Sequence, residues 1–347
     1  AAGPPMPLRY RGGCLREVRL FPGGSRFVAV SLEGVAVIGD AVSGRLLHTL
    51  LHKSAVVHVR IFPGGDRVLS WHMDPYHCLV IWDAKSGSYL RSITPGDTIV
   101  DVVLFPNGEA LATSSRDARV TIWDAAKGTQ RATVEIGGAG STPGAGHLRI
   151  FPDSDKLLAL GAEVGLAIVN ATSGERIRTL LARGGTFSPM RLAAINAEGD
   201  IVATLNDEGV RTLCARTGIL VRHRVRGILG GLWRVRGMEF FPTDNRIVLF
   251  GDAGAVVWDI RRGREGDIWL GTSRPVCAVV FSADGKLLAT SSGMSAVIWD
   301  PNTGRAVRRL RIGSTPREQA EATCDIDIGP DLRAYAGWSS DIEQWSR

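Results

Sequence analysis

The chain has 347 residues, 44% apolar and 7% aromatic, a composition that suits a packed core and excludes a disordered chain. No apolar run approaches the roughly 18 residues that a membrane-spanning helix needs. The formal charge of +6, with a pI near 9.3, is modest for this length; it permits an acidic partner without demanding nucleic acid.

In chain order, PLRYRGG at Pro7 has the make-up of a short strand. RLFPGG at Arg19 follows, an apolar strand ending in Phe before a Pro-Gly turn, then RFVAV at Arg26 and VIGDAVSG ending at Gly44. The same succession returns as RIFPGG at Arg60 with VIWDAKSG at Val80, and as VLFPNG at Val103 with ALAT at Ala110 and TIWDAAKG at Thr121. RIFPDS at Arg149 leads to AIVNATSG ending at Gly174, and a weaker copy pairs AINAEG at Ala194 with TLCARTG ending at Gly218. FFPTDN at Phe240 precedes VVWDIRRG at Val256, and VFSADG at Val280 precedes KLLAT at Lys286 and VIWDPNTG at Val297. The tail begins one more unit with CDIDIGP at Cys324, RAYAGW at Arg333 and DIEQW at Asp341.

The last glycines of the seven full units are separated by 43, 41, 46, 44, 45 and 41 residues. Between the turns lie runs of four to six residues rich in Val, Ile, Leu and Thr, too short for ordinary helices. Each unit therefore predicts four short antiparallel strands, the repeating unit of a β-propeller.

Four intact Trp-Asp pairs in register, Trp82-Asp83, Trp123-Asp124, Trp258-Asp259 and Trp299-Asp300, make the chain resemble the WD-repeat β-propellers over nearly all residues from about Leu15 onward. The resemblance implies a ring of twisted four-stranded blades around a narrow channel, with the Trp and the strand-end Phe packed between neighbouring blades. It also implies a non-catalytic scaffold for other proteins. The family's Gly-His dipeptide ahead of the first strand is missing from every blade. Its tight-turn Asp survives as Asp117, Asp252 and, by register, Asp207, with Glu33 and Glu163 in other blades. The family's hydrogen-bond network of His, Ser, Asp and Trp is therefore expected to be mostly incomplete, and the units carrying Val169-Asn170 and Leu213-Cys214 are the most degenerate.

Trp345 follows Trp299 by 46 residues and is in register, but its unit stops after a third strand. The N-terminal strand is expected to supply the fourth and to close the ring, which removes exposed sheet edges. We expect one all-β domain over 1–347, with blades near 15–54, 55–97, 98–143, 144–188, 189–231, 232–273 and 274–315, and a last blade at 322–347 closed by 5–13. Eight blades is the favoured reading; seven blades with an added segment is the alternative.

The five cysteines, 14, 78, 214, 277 and 324, are odd in number and form no CxxC. They read as buried free thiols of an intracellular reducing compartment, cytoplasm or nucleus, and no zinc-ligand spacing is present. No leader-like segment opens the chain, and the first residue is Ala, which fits a processed product or one part of a larger protein. GGAGSTPGAG at Gly137 lacks the Lys-Ser/Thr and helix of a phosphate loop and reads as an inter-blade loop. His72, Asp74 and His77 beside Cys78 read as a polar turn widened by Pro75. No catalytic, metal or cofactor motif is expected.

The loops entering each first strand carry Lys53, Arg183, Arg234, Arg236 and Arg274, opposed mainly by Asp97. Near the start of those strands stand Glu17, His58, Asp101, His147 and Arg191. This rim reads either as a site for an acidic or phosphorylated chain or as ordinary solvated charge. The stretch RHRVRGILGGLWRVRG, Arg222 to Gly237, adds Arg222, Arg224, Arg226 and Trp233, the make-up of an interface anchor, unless Trp233 only caps a strand. Trp71 and Trp269 lie outside the repeat's Trp position. The expected function is a non-enzymatic scaffold binding other proteins through rim loops. The alternatives are a nucleic-acid-associated propeller, using the same arginines and RRLR at Arg308, and an enzyme with a pocket at the channel mouth.

Overall fold

The computed structural model describes residues 6–9, 15–31, 33–52, 54–72, 78–117, 119–136, 147–161, 165–181, 190–206, 209–225, 235–261, 263–271, 275–282, 284–292, 295–311, 325–328, 334–338 and 341–345. Its elements are strands, paired into four-stranded antiparallel sheets. The first blade holds β2 (Leu15–Leu20), β3 (Arg26–Ser31), β4 (Ala36–Asp40) and β5 (Leu46–Leu50). Before it stands β1 (Met6–Arg9). The second blade holds β6 (His58–Ile61), β7 (Arg67–Trp71), β8 (Leu79–Asp83) and β9 (Tyr89–Ile93). The third holds β10 (Ile99–Leu104), β11 (Ala110–Ser115), β12 (Arg119–Asp124) and β13 (Gln130–Glu135). The fourth holds β14 (Leu148–Ile150), β15 (Lys156–Gly161), β16 (Gly165–Asn170) and β17 (Arg176–Leu181). The fifth holds β18 (Leu192–Ile195), β19 (Ile201–Asn206), β20 (Gly209–Cys214) and β21 (Leu220–Val225). The sixth holds β22 (Val235–Phe240), β23 (Arg246–Gly251), β24 (Gly254–Asp259) and β25 (Gly263–Leu270). The seventh holds β26 (Ala278–Phe281), β27 (Leu288–Ser292), β28 (Ser295–Asp300) and β29 (Arg305–Arg311).

Seven blades are thus built from consecutive strands, the count of the seven-blade reading. The chain ends form one further four-stranded sheet, on which the eight-blade reading rests. In it β30 (Asp325–Ile328), β31 (Ala334–Trp338) and β32 (Asp341–Trp345) follow one another, and β1 pairs with β32, Met6 opposite Gln344. Strand β30 lies against both β2 and β26, between the first and seventh blades. First strands of successive blades lie against one another, β2 on β6, β10 on β14 and β14 on β18, so they stand at the centre and the fourth strands form the circumference.

The core is divided among the seams. Trp82 and Ala84 of the second blade bury themselves with Val28, Val30, Ile38 and Leu50 of the first. Trp123 does the same against Phe62, Leu69 and Ile81, and Trp299 against Phe241, Val248 and Val257. Each sheet has two apolar faces and buries neither alone, so Trp and strand-end Phe are seam residues, as the repeat implies.

The Trp-Asp-x-x-x-Gly spacing is a turn device. Asp83 Oδ1 accepts the N–H groups of Lys85 at 3.0 Å and Ser86 at 2.7 Å, and Asp124 accepts those of Ala126 at 2.9 Å and Lys127 at 2.7 Å. Asn170 does the same in the fourth blade, with both bonds 2.8 Å. The closing glycines have left-handed backbones, Gly87 at φ 69° and Gly174 at φ 72°. Each such turn leans on the outer strand of the preceding blade; a Cβ on Gly174 would stand 2.7 Å from the Ala132 methyl. The turn after the first strand also needs a left-handed residue, Gly24 at φ 67° and Gly65 at φ 68°. In the fourth blade that residue is Ser154, at φ 60°.

A second device was not read from the sequence. In four blades a basic residue five positions after the strand-end Phe stacks on that ring, and the three arginines among them reach the next blade. Arg67 lies 4.2 Å over Phe62 and donates to Gly108 O at 2.8 Å; Arg246 lies 4.2 Å over Phe241 and donates to Asn302 Oδ1 at 2.9 Å. Arg26 lies 4.3 Å over Phe21 and bonds the Ala84 carbonyl, while Lys156 stands over Phe151. Such rivets add a cation–π contact at the first, second, fourth and sixth blades.

Two substitutions test the turn argument in opposite directions. Gly174→Ala is expected to destabilise the protein by about 1–3 kcal/mol, from left-handed strain and the clash with Ala132. Ser154→Gly is expected to be neutral or to stabilise by up to about 1 kcal/mol. Chemical denaturation of both variants beside the parent measures each.

Candidate functional site

The centre of the ring is lined by the first strands, where two acid–base clasps repeat. Glu17 of β2, with 7% of its side chain exposed, is held by three side chains and one backbone group. Its Oε1 accepts Arg60 Nη1 at 2.6 Å and pairs with Arg19 Nη2 at 2.9 Å. Its Oε2 accepts the Val59 N–H at 3.1 Å and meets His58 Nδ1 at 3.3 Å. Burial alone pushes this carboxyl up; the His58 bond, the charges of Arg19 and Arg60 and the Val59 amide outweigh it and bring the pKa to about 2.

Two blades on, Asp101 Oδ2 accepts the Leu148 N–H at 3.0 Å and stands 3.8 Å from His147 Nδ1. Burial again opposes ionisation of Asp101 and is outweighed, by His147, the Leu148 amide and Arg149, so its pKa is lowered. In both clasps, the His-x-Arg of one blade's first strand holds the carboxylate of the blade before. The segments HVRIFP at His58 and HLRIFP at His147 carried that signal in the sequence.

Arg149 also reaches Glu239 of the sixth blade, 3.5 Å from its Oε1. The Glu239 side chain is 45% exposed, yet it is walled by protein; burial pushes its pKa up, against the pull of Arg149. Trp71, buried beside the Glu17 clasp, lies 5.1 Å from the His58 ring and 5.5 Å from the Arg60 guanidinium. These charges hold blades to one another. An ionised Glu17 with its lone pairs filled is not a proton acceptor at neutral pH.

The Trp network, expected to be mostly incomplete, keeps a His–Ser–Trp chain in the second blade. His52 of the second blade meets Ser70 Oγ at 2.9 Å, and that oxygen accepts Trp82 Nε1–H at 2.8 Å. Burial, then repulsion from His72, lowers the His52 pKa to about 4, so the ring is neutral at pH 7. The sequence hid it because Leu51, not Gly, precedes His52. Trp123 and Trp299 each donate at 2.9 Å to a threonine in the Ser70 position, Thr113 and Thr290.

Of the rim residues, Lys53, Arg183, Arg226, Trp233, Arg234 and Arg274 lie outside the described residues, as do Asp74 and His77. Arg222 and Arg224 belong to β21 at the circumference; Arg222 is exposed. Arg236 belongs to β22 at the centre, where its Nε donates to Asp252 Oδ1 at 2.7 Å and its Nη1 stands 3.7 Å from Cys277 Sγ. The basic stretch from Arg222 to Gly237 is therefore not one patch, because its two ends sit at opposite radii. Cys78, Cys214 and Cys277 are free thiols; Cys277 is exposed and the other two half-buried, where buried thiols were expected, and Cys14 and Cys324 lie outside the described residues. Among the described residues no cluster of three or more His, Cys, Asp or Glu suits a metal ion, and no helix is long and apolar enough to cross a membrane.

A ring of four-stranded antiparallel blades with buried inter-blade Trp defines a β-propeller. The family model described as "WD domain, G-beta repeat" matches residues 87–124 and 267–300. Each match runs from the turn or outer strand of one blade to the Asp of the next blade's Trp-Asp pair. The chain carries WD40 repeats at these two places and has the architecture of a WD-repeat β-propeller. Among solved structures it is similar to the computationally designed Ika8 protein, at 18% identity over 97% of this chain and 98% of that one, with a TM-score of 0.77. That likeness shows the fold alone, which 1804 solved chains match. No curated protein matches the sequence.

Glu17→Gln keeps the shape of the clasp and removes its charge. The folded pKa of about 2 lies below the unfolded 4.5, so the stabilisation is complete above about pH 4.5 and vanishes as pH falls toward 2. The variant is expected to lose on the order of 3 kcal/mol at pH 7. Melting curves across this range should show the gap to the parent closing on acidification.

Proposed function

We propose that this protein is a non-catalytic scaffold that holds other proteins within a larger assembly through loops at one end of its ring. The carrying observation is the use of its conspicuous polar side chains. Glu17, Asp101, Arg67, Arg246 and His52 all join strands or blades, leaving the loops on a frame stiffened at several of its seams. Preformed loops on such a frame lose little entropy when a partner docks. The end that carries the Trp-Asp-x-x-x-Gly turns is packed blade on blade. The opposite end, where the chain passes from one blade's outer strand to the next blade's first strand, is the partner face.

The contact residues proposed there are Lys53, Arg183, Arg226, Trp233, Arg234, Arg236 and Arg274, with Trp233 as the apolar anchor. Their chemistry suits acidic or phosphorylated segments, which arginine binds as a fork. Arg236 works there jointly with Asp252, so it orients a ligand more than it adds net charge.

Affinity purification of the native protein beside the Arg234→Ala/Arg236→Ala variant tests this face. Loss of at least one partner, or a yield reduced about tenfold, is expected from two charge-assisted contacts. Identical partners at equal yield would refute the assignment.

A further inference from the structure

The surplus positive charge is not spread evenly through the ring. The eight described first strands hold five arginines and five carboxylates, a balanced wall. The eight described outer strands hold twelve arginines, no lysine and three carboxylates, Glu135, Glu265 and Asp267. Arg178, Arg222, Arg305 and Arg309 are exposed there, and none has a carboxylate within ion-pair distance among the described residues. The charge is concentrated on one arc. Arg178 lies on the fourth blade, Arg222 on the fifth, and Arg305 and Arg309 on the seventh. Between them, on the sixth, Trp269 stands 51% exposed on β25.

The blade-on-blade turns join the fourth blade's edge to the fifth and the sixth's to the seventh. Gly304, next to Arg305, packs against the Trp269 backbone, and Gly218 of the fifth blade packs against Leu180 of the fourth. Forked cations with an exposed indole among them are the elements of a surface that tracks phosphates and stacks bases. The arc is convex, which suits a flexible strand; a duplex, stiff over about 150 base pairs, touches such a curve at one point.

We propose that the outer edge of blades four to seven binds single-stranded nucleic acid, with Arg178, Arg222, Arg305 and Arg309 on the phosphates and Trp269 under a base. This surface is separate from the loop face proposed for protein partners. An exposed strand edge lined by arginine also resists edge-to-edge association, and that role alone gives no oligonucleotide binding.

The test is fluorescence anisotropy of the full chain with a labelled oligouridylate of about 20 nucleotides, titrated over a salt series from about 50 to 200 mM. Binding is expected to weaken steeply with salt. Arg305→Gln/Arg309→Gln should weaken it about tenfold or more and lower the slope of log affinity against log salt by roughly 0.7 per lost phosphate contact. Trp269→Ala should weaken it about fivefold or more through lost stacking. Arg16→Gln/Arg116→Gln, which removes two exposed arginines from elsewhere on the ring, should match the parent. Arg234→Ala/Arg236→Ala should also bind normally, so failure here and failure of the loop-face reading are separable. Circular dichroism melts of the variants establish that each is folded, and the parent's salt series stands without them. The proposal is overturned by no binding at about 50 mM salt, by equal weakening in the Arg16/Arg116 control, by tighter binding of a duplex of the same length, or by a polyglutamate peptide that binds more tightly than the oligonucleotide.

Discussion

Every blade is a sheet with two apolar faces, and neither face can be covered from within the blade. That constraint arranges the rest of the structure. Trp82 covers the first blade, Trp123 the second and Trp299 the sixth, so each unit completes its neighbour's core. A row of such units must end somewhere, and the chain uses both of its ends to do so, laying β1 on β32 beside the first blade. The apolar residues of the first blade that face away from the second, Val18, Phe27, Ala29 and Val37, are buried accordingly.

Polar side chains then fall where stacking allows. At the centre the first strands crowd together, and charges there must be paired. Glu17 and Asp101 are ionised against the cost of burial because guanidinium, imidazole and backbone donors surround them. At the turn end, arginines share the ring of their own blade's Phe with a carbonyl of the next. At the circumference the outer strands meet a neighbour chiefly through its turn, so arginine and exposed apolar side chains such as Leu220 and Trp269 stand in solvent. The same residue type is a seam rivet at one radius and an exposed cation at another.

The fold was legible because its determinants are local. Asp83 and Gly87 build their turn within a few residues, and a left-handed glycine before a reversal is visible at that range. The Trp-Asp register therefore located the strands and assigned Trp and Phe to the seams. The clasp of Glu17 with Arg60 was only half legible. Glu17 was placed near the channel and Arg60 only in a strand before a turn, and their pairing depends on two blades touching across 43 positions. His52 was missed because its role is defined by Ser70 and Trp82, 18 positions or more beyond it, and the dipeptide that marks it elsewhere is absent. Arg67 and Arg246 were missed because a basic residue after a turn resembles ordinary solvated charge until the next blade's carbonyl is in place.

By itself the sequence determined the repeating unit, its turns, the residues that fill the seams and the continuation of the register into the tail, because short-range dihedral and burial preferences specify them. Only the tertiary structure decided radius. It put Arg222 at the circumference and Arg236 at the centre, although 14 residues separate them, and it brought Glu17 to Arg60 and Arg149 to Glu239. Radius follows from the closing of the ring, which sums small rotations over all the blades and is not contained in any one of them.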